Sequence, residues 1–144
     1  MKITANDPTR KSWLPVSESC DFPIQNIPFG VFITRDDIIT IGTRIGEYAI
    51  DLGAFHQLGY FNGIPLTDDI FMQDSLNDFI ADGRKTWRLV RKRIAEVFDI
   101  ENPTLRDNIK HKEIIIFDVN EVEMLLPVDV GDYTDFYSSK EHAT

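Results

Sequence analysis

The sequence predicts a mainly β domain with inserted helices, an α+β fold built on a small barrel or rolled sheet. Three observations predict it. Short β-branched runs recur on either side of the middle, between Val31 and Leu52 and again between Glu113 and Val130, with turn residues between them. The segments between those runs switch to helical spacing. The first 28 residues fit neither pattern, because Pro8, Pro15, Pro23 and Pro28 each fix φ and remove a backbone donor.

Taken in order, residues 1–28 form an extended arm, held down by Trp13, Leu14, Phe22, Ile24 and Ile27. Val31–Thr34 and Ile38–Ile41 are strand formers joined by the turn residues Arg35, Asp36 and Asp37. Gly46-Glu47 suits a two-residue hairpin turn with glycine at its first central position, and a third strand runs from Tyr48 to Leu52. Met72, Leu76, Phe79 and Ile80 recur at helical spacing, with Asp74 as the expected cap and Gly83 as the stop. Trp87, Val90, Ile94, Val97 and Phe98 form the stripe of a longer helix. Its six basic residues (Arg84, Lys85, Arg88, Arg91, Lys92, Arg93) read as a solvated face opposite that stripe. "ENPTLRD" is a turn and a short helical stretch. "EIIIFDV" reads as a strand, and Val122, Met124 and Leu126 alternate along another that Pro127 ends.

Composition narrows the function. Hydrophobic residues make up 42% of the 144 residues and aromatics 11%, which is enough for a core. Fifteen Lys and Arg against 24 Asp and Glu leave a charge of −9, which opposes nucleic acid and anionic membranes as partners. Cys20 is the one cysteine, so it makes no intrachain disulfide, and nothing beside it in sequence activates a thiol. The N-terminus lacks the apolar stretch of a secretory signal, and no apolar run approaches the roughly 20 residues of a membrane span. A cytoplasmic location is expected.

The final stretch, "GDYTDFYSSKEHAT", concentrates carboxylates, tyrosines, serines and a histidine. Carboxylates are hard ligands for Mg2+ or Ca2+, and histidine is the usual general base near neutral pH. The parts suit metal-assisted hydrolysis, yet one or two aspartates do not complete an oxygen site. The residues alone leave two readings open: a polar terminus, or part of an active site.

Three blocks carry a resemblance. Ser12–Phe32 ("SWLPVSESCDFPIQNIPFGVF"), Arg44–Leu52 ("RIGEYAIDL") and Leu125–Thr144 ("LLPVDVGDYTDFYSSKEHAT") closely resemble the N-terminal third of the fumarylacetoacetase family. The last block is the most specific, and between Thr34 and Gly42 the likeness lapses. The resemblance implies an SH3-like small barrel over residues 1–120, with its arm at 1–28, and the first segment of a truncated catalytic domain over 121–144. It implies hydrolysis of the carbon–carbon bond of a diketo acid, fumarylacetoacetate, to fumarate and acetoacetate in tyrosine and phenylalanine breakdown. It also implies Ca2+ or Mg2+ as cofactor and a homodimeric intact enzyme. Residue by residue, Asp135 corresponds to a metal-ligating carboxylate, Tyr137 to a substrate contact and His142 to the general base. Ser138 and Ser139 read as turn-forming, Asp132 as structural, and His56 and His111 as bystanders. The remaining ligands would lie beyond Thr144, so the fragment alone is expected to be inactive. The competing expectation is a stand-alone, non-catalytic interaction module.

Overall fold

Residues 4–130 are described by a computed structural model of the chain. Five strands form one antiparallel sheet in the order β4-β3-β2-β1-β5. β1 (Phe29–Ile33) and β2 (Ile39–Ile45) make a hairpin with Val31 opposite Ile41. The expected turn closes it: Asp37 takes φ 58°, and the Thr34 N–H donates to the Ile38 carbonyl at 2.9 Å. Gly46 and Glu47 then lead into β3 (Tyr48–Asp51). Gly46 holds φ 59°, so the positive φ falls at the first central position, as the sequence predicts. β3 stops one residue short of its predicted end. The Asp51 carboxylate accepts the Ala54 N–H at 3.0 Å and caps α1 (Leu52–Gln57), which draws Leu52 into the helix.

The helical middle is partly as expected. α2 (Asn77–Ala81) is short, with Leu76 and not Asp74 at its N-cap and no side-chain cap bond. Leu76 and Phe79 are buried, but Met72 and Ile80 stand half exposed. α3 (Arg84–Phe98) follows Gly83 and buries Val90, Ile94, Val97 and Phe98. Its basic face is not simply solvated. Arg91 donates to the Gln25 and Asn26 carbonyls at 3.0 Å each, and Arg93 donates to the Tyr60 and Asn62 carbonyls at 2.8 and 2.9 Å. These two arginines clasp the N-terminal arm and the loop after α1.

Asn102 caps α4 (Pro103–Arg106). Asn108 caps α5 (Ile109–Ile115), its Oδ1 accepting the His111 N–H at 3.0 Å. That cap overrides the β propensity of Glu113–Ile115, so the predicted strand shrinks to β4 (Ile116–Asp118). β5 (Glu123–Leu125) pairs with β1, Val31 opposite Leu125, which places residues that follow the expected boundary at 120 inside the sheet.

β4 and β5 are the two edges of this sheet, yet one 3-10 turn (Val119–Glu121) and Val122 are all that join them. Five backbone steps reach at most about 18 Å. Five flat strands would set their edges about 19 Å apart. The sheet therefore curls. Closure into a barrel is not seen: β4 and β5 share no ladder, and in the turn that connects them the Val119 N–H donates to the Glu47 carbonyl at 3.0 Å. The expected barrel is thus an open roll.

The main core lies on one face of the sheet, where Val31, Ile41, Ile45 and Ile50 meet α1 and α3. Phe55 is its centre, with Tyr60 and Phe61 ring centroids at 4.9 and 4.7 Å and Phe98 stacked at 6.2 Å. The arm joins this core through Leu14, Ile24 and Ile27, and Trp13 stacks on Phe98 at 5.1 Å while donating to the Val97 carbonyl.

Candidate functional site

The predicted site residues Asp135, Tyr137 and His142 lie outside the described residues, as do Asp132, Ser138 and Ser139. The structure does describe the point from which that segment departs. After β5 the Pro127 carbonyl accepts the Leu76 N–H at 2.7 Å. The Asn77 side chain then pairs with one residue twice: its Nδ2 donates to the Asp129 carbonyl at 2.9 Å, and its Oδ1 accepts the Asp129 N–H at 3.0 Å. An amide offers both a donor and an acceptor, so it can hold a backbone as a neighbouring strand would. The start of α2 thereby fixes where the chain leaves the sheet, six residues before Asp135.

The other reactive side chains have structural partners. Asp51 is 7% exposed, and its Oδ1 accepts the Thr40 hydroxyl at 2.7 Å as well as the Ala54 N–H. Burial pushes its carboxyl above the ordinary range, against the opposing pull of the Ala54 N–H, the Thr40 hydroxyl and the Gly53 N–H. His111, read from sequence as a bystander among charges, sits 2.6 Å from the Tyr60 hydroxyl through Nδ1, and burial raises the Tyr60 phenol. His56 Nε2 is 3.1 Å from the Thr67 carbonyl, and its ring packs on Phe61 and Phe71. The Cys20 sulfur accepts the Phe22 N–H at 3.4 Å and lies 4.0 Å from the Glu47 carboxylate. Among the described residues no group of three His, Cys, Asp or Glu side chains is placed to hold a metal.

The other face of the sheet carries a feature that sequence reasoning missed. Phe32 and Ala49, strand neighbours of the core residues Val31 and Ile50, point to this side and are buried apart from the main core. Above them opens a groove of about 410 Å³, bounded by Phe22, Arg44, Val122 and Met124. Gly42 makes room for the Phe32 ring: a Cβ there would overlap that ring and lie 2.5 Å from the Ile50 carbonyl. The signal was present in the sequence as glycines flanking the two β runs, at Gly30 and Gly42, which the structure includes in β1 and β2 and which mark a close approach. No helix among the described residues is long and apolar enough to cross a membrane.

Comparison with known proteins bears on nearly all of the chain. A profile of the family described as fumarylacetoacetase N-terminal matches residues 25–127. The chain is 44% identical over 135 residues to the fumarylacetoacetase of Dictyostelium discoideum, a match covering 93% of this chain and 32% of that protein. It is 38% identical to the fumarylacetoacetase of Arabidopsis thaliana and 39% to that of Homo sapiens, each covering 92% of this chain and 32% of the relative. The chain thus spans about a third of the length of the curated relatives it matches.

Proposed function

From the premise that this chain belongs to the fumarylacetoacetase N-terminal family, we propose that it is the N-terminal part of a fumarylacetoacetase. The observation that carries this is a 44% identity running over nearly the whole chain. The final block, with its D-Y-T-D-F-Y-S-S-K-E-H-A-T run, adds the residues through which such a protein would act. The SH3-like reading of the domain also belongs here. It is supported by five short antiparallel strands, a two-residue hairpin and a 3-10 turn between the last two strands.

In the complete protein the reaction is hydrolysis of fumarylacetoacetate to fumarate and acetoacetate. His142 takes a proton from water as the water oxygen bonds to the carbonyl carbon on the fumaroyl side. The adjoining carbon–carbon bond breaks, its electron pair leaves with acetoacetate, and that carbon takes up a proton. The Tyr137 hydroxyl donates a hydrogen bond to a substrate oxygen and holds it in line. Asp135 offers a carboxylate, and that donor chemistry fits Ca2+ or Mg2+. When bound, such a cation supplies Lewis-acid polarisation of the diketo oxygens. The intact enzyme is read as a cytoplasmic homodimer.

The test is steady-state hydrolysis of fumarylacetoacetate by a full-length hybrid, with the remainder of the Dictyostelium relative following Thr144. Turnover lost in His142→Ala, with Ca2+ affinity kept, is the expected result. Near-normal turnover in that variant would remove His142 as the base. A second reading, a non-catalytic interaction module, is favoured by the open apolar groove; a hybrid without turnover would point to it.

A further inference from the structure

The turn between β1 and β2, the start of α1 and the end of α5 bound a hollow of about 310 Å³ that shares no lining residue with the groove above Phe32. A second hollow of about 480 Å³ adjoins it, with Gln57 and Met72 lining both. Four large apolar side chains of the first hollow stand half exposed: Ile38 at 53%, Ile39 at 42%, Met72 at 50% and Ile114 at 50%. Gln57 Nε2 donates to the Met72 sulfur at 3.0 Å, and Gly53 leaves room for that side chain, since a Cβ there would come within 3.3 Å of Met72 Cγ. Single exposed apolar residues are ordinary, but four gathered in one cleft mark an interaction surface. We propose that the two joined hollows are the docking site for a short basic segment of a separate protein, one that carries an aliphatic side chain between lysines or arginines.

Charge complementarity selects that occupant. Asp36 and Glu113 line the first hollow, Asp68 and Asp69 line the second, and no lysine or arginine lines either. These four carboxylates form no ion pair among the described residues, whereas Glu47, Glu96, Asp99, Asp107 and Glu121 each have a basic partner. The cations nearest in sequence are engaged elsewhere: Arg35 donates to Glu121 at 2.7 Å, and Lys112 lies over the Trp13 ring. An aliphatic side chain would cover Ile38, Ile39, Met72 and Ile114, while flanking cations meet the open carboxylates. A nucleic acid or other polyanion is repelled by the same charges. A bare metal ion would leave the apolar wall uncovered, and no metal-capable group of three side chains occurs among the described residues. A second copy of this chain fits less well, since two molecules of charge −9 repel each other. The site lies wholly within the described residues and does not depend on the reading of the chain as part of a fumarylacetoacetase.

The test is selection of random octapeptides displayed on phage against the immobilised 144-residue chain. The enriched peptides are then synthesised, labelled and titrated by fluorescence anisotropy. One triple variant, Asp36→Lys, Asp69→Lys and Glu113→Lys, reverses exposed carboxylates of the two hollows. A second, Asp21→Lys, Asp82→Lys and Glu101→Lys, makes the same change of net charge at exposed positions that line neither hollow. Enriched peptides should carry two or more Lys or Arg around an aliphatic residue. They should bind the first variant at least tenfold more weakly than wild type, bind the second within about twofold, and weaken as salt is raised. No enrichment over a bare surface, enriched peptides without a basic bias, or equal losses in the two variants would overturn the proposal. So would loss of peptide binding in the full-length hybrid, which would assign the hollows to the polypeptide that follows. Self-association of the 144-residue chain that the first variant abolishes would assign them to a second copy and overturn it as well.

Discussion

Asp51 shows how one carboxylate serves the fold at a cost that depends on pH. It caps α1 and accepts the Thr40 hydroxyl, but burial holds its carboxyl above the unfolded value. The folded state therefore favours the protonated form. The stabilisation linked to that proton is complete below the unfolded pKa of about 3.9 and is lost as pH rises through the raised folded value. Asp51→Asn keeps an acceptor for both donors and does not titrate. Urea midpoints from pH 4 to 7 should move in favour of the Asn variant, relative to wild type, as pH rises; a constant difference across that range would show that burial does not set this carboxyl. Asp51→Ala leaves the Ala54 N–H and the Thr40 hydroxyl without their acceptor and should cost about 1–2 kcal/mol. A second residue, Arg91, corrects the expectation of a solvated basic face. Burial lowers its guanidinium while it donates to two arm carbonyls. Arg91→Ala should destabilise by about 1–3 kcal/mol, whereas the exposed Lys85→Ala should stay within about 0.5 kcal/mol. Equal effects in thermal melts would return the helix to the simpler reading. Sequence could not separate the two cations, because what distinguishes Arg91 is a pair of carbonyls some 65 residues away.

Among the elements, legibility followed locality. The β1–β2–β3 meander was readable because its turns are local: the Arg35–Asp37 turn and Gly46-Glu47 carry their own backbone preferences. The α3 stripe was readable because five large apolar residues share one face. The strand expected over Glu113–Val119 was misread because propensity was weighed without the cap at Asn108, which commits three of those residues to α5. Barrel closure was not legible at all, since it depends on where two short edge strands end relative to a single 3-10 turn. Gly42 ties these elements together. With no side chain there, the Phe32 ring lies across β2 and the sheet can curl. Gly42→Ala would place its Cβ against that ring and against the Ile50 carbonyl, which is backbone and cannot move aside. The expected cost is about 3 kcal/mol, the upper part of the range for overpacking, read as a drop in the denaturant midpoint. A loss under about 0.5 kcal/mol would mean the ring is free to leave and the curl does not depend on it.

At the scale of the whole molecule, the described core and the candidate chemistry occupy different parts of the chain. Residues 4–130 hold the arm, the roll, the helices and a continuous aromatic core, while Asp135, Tyr137 and His142 come later. The site was legible in the sequence only through its resemblance to a family, because one carboxylate, one phenol and one imidazole do not define a reaction by spacing alone. The core and the site segment should therefore respond independently. Truncation after Val130 keeps every residue of the described core, so the shortened chain should unfold in one cooperative transition with a midpoint close to that of the 144-residue chain. Its full-length hybrid counterpart, lacking residues 131–144, should be inactive. Divalent metal gives the complementary reading. Ca2+ and Mg2+ take six or more oxygen ligands, and a few carboxylates seldom offset their dehydration. With one ligating carboxylate assigned and no metal-capable group among the described residues, calorimetry on the 144-residue chain should find no tight stoichiometric Ca2+ or Mg2+ site. The hybrid should bind Ca2+ and lose that binding in Asp135→Ala. A tight site in the 144-residue chain that survives Asp135→Ala would place the metal elsewhere and break the link between this aspartate and the chemistry proposed for it.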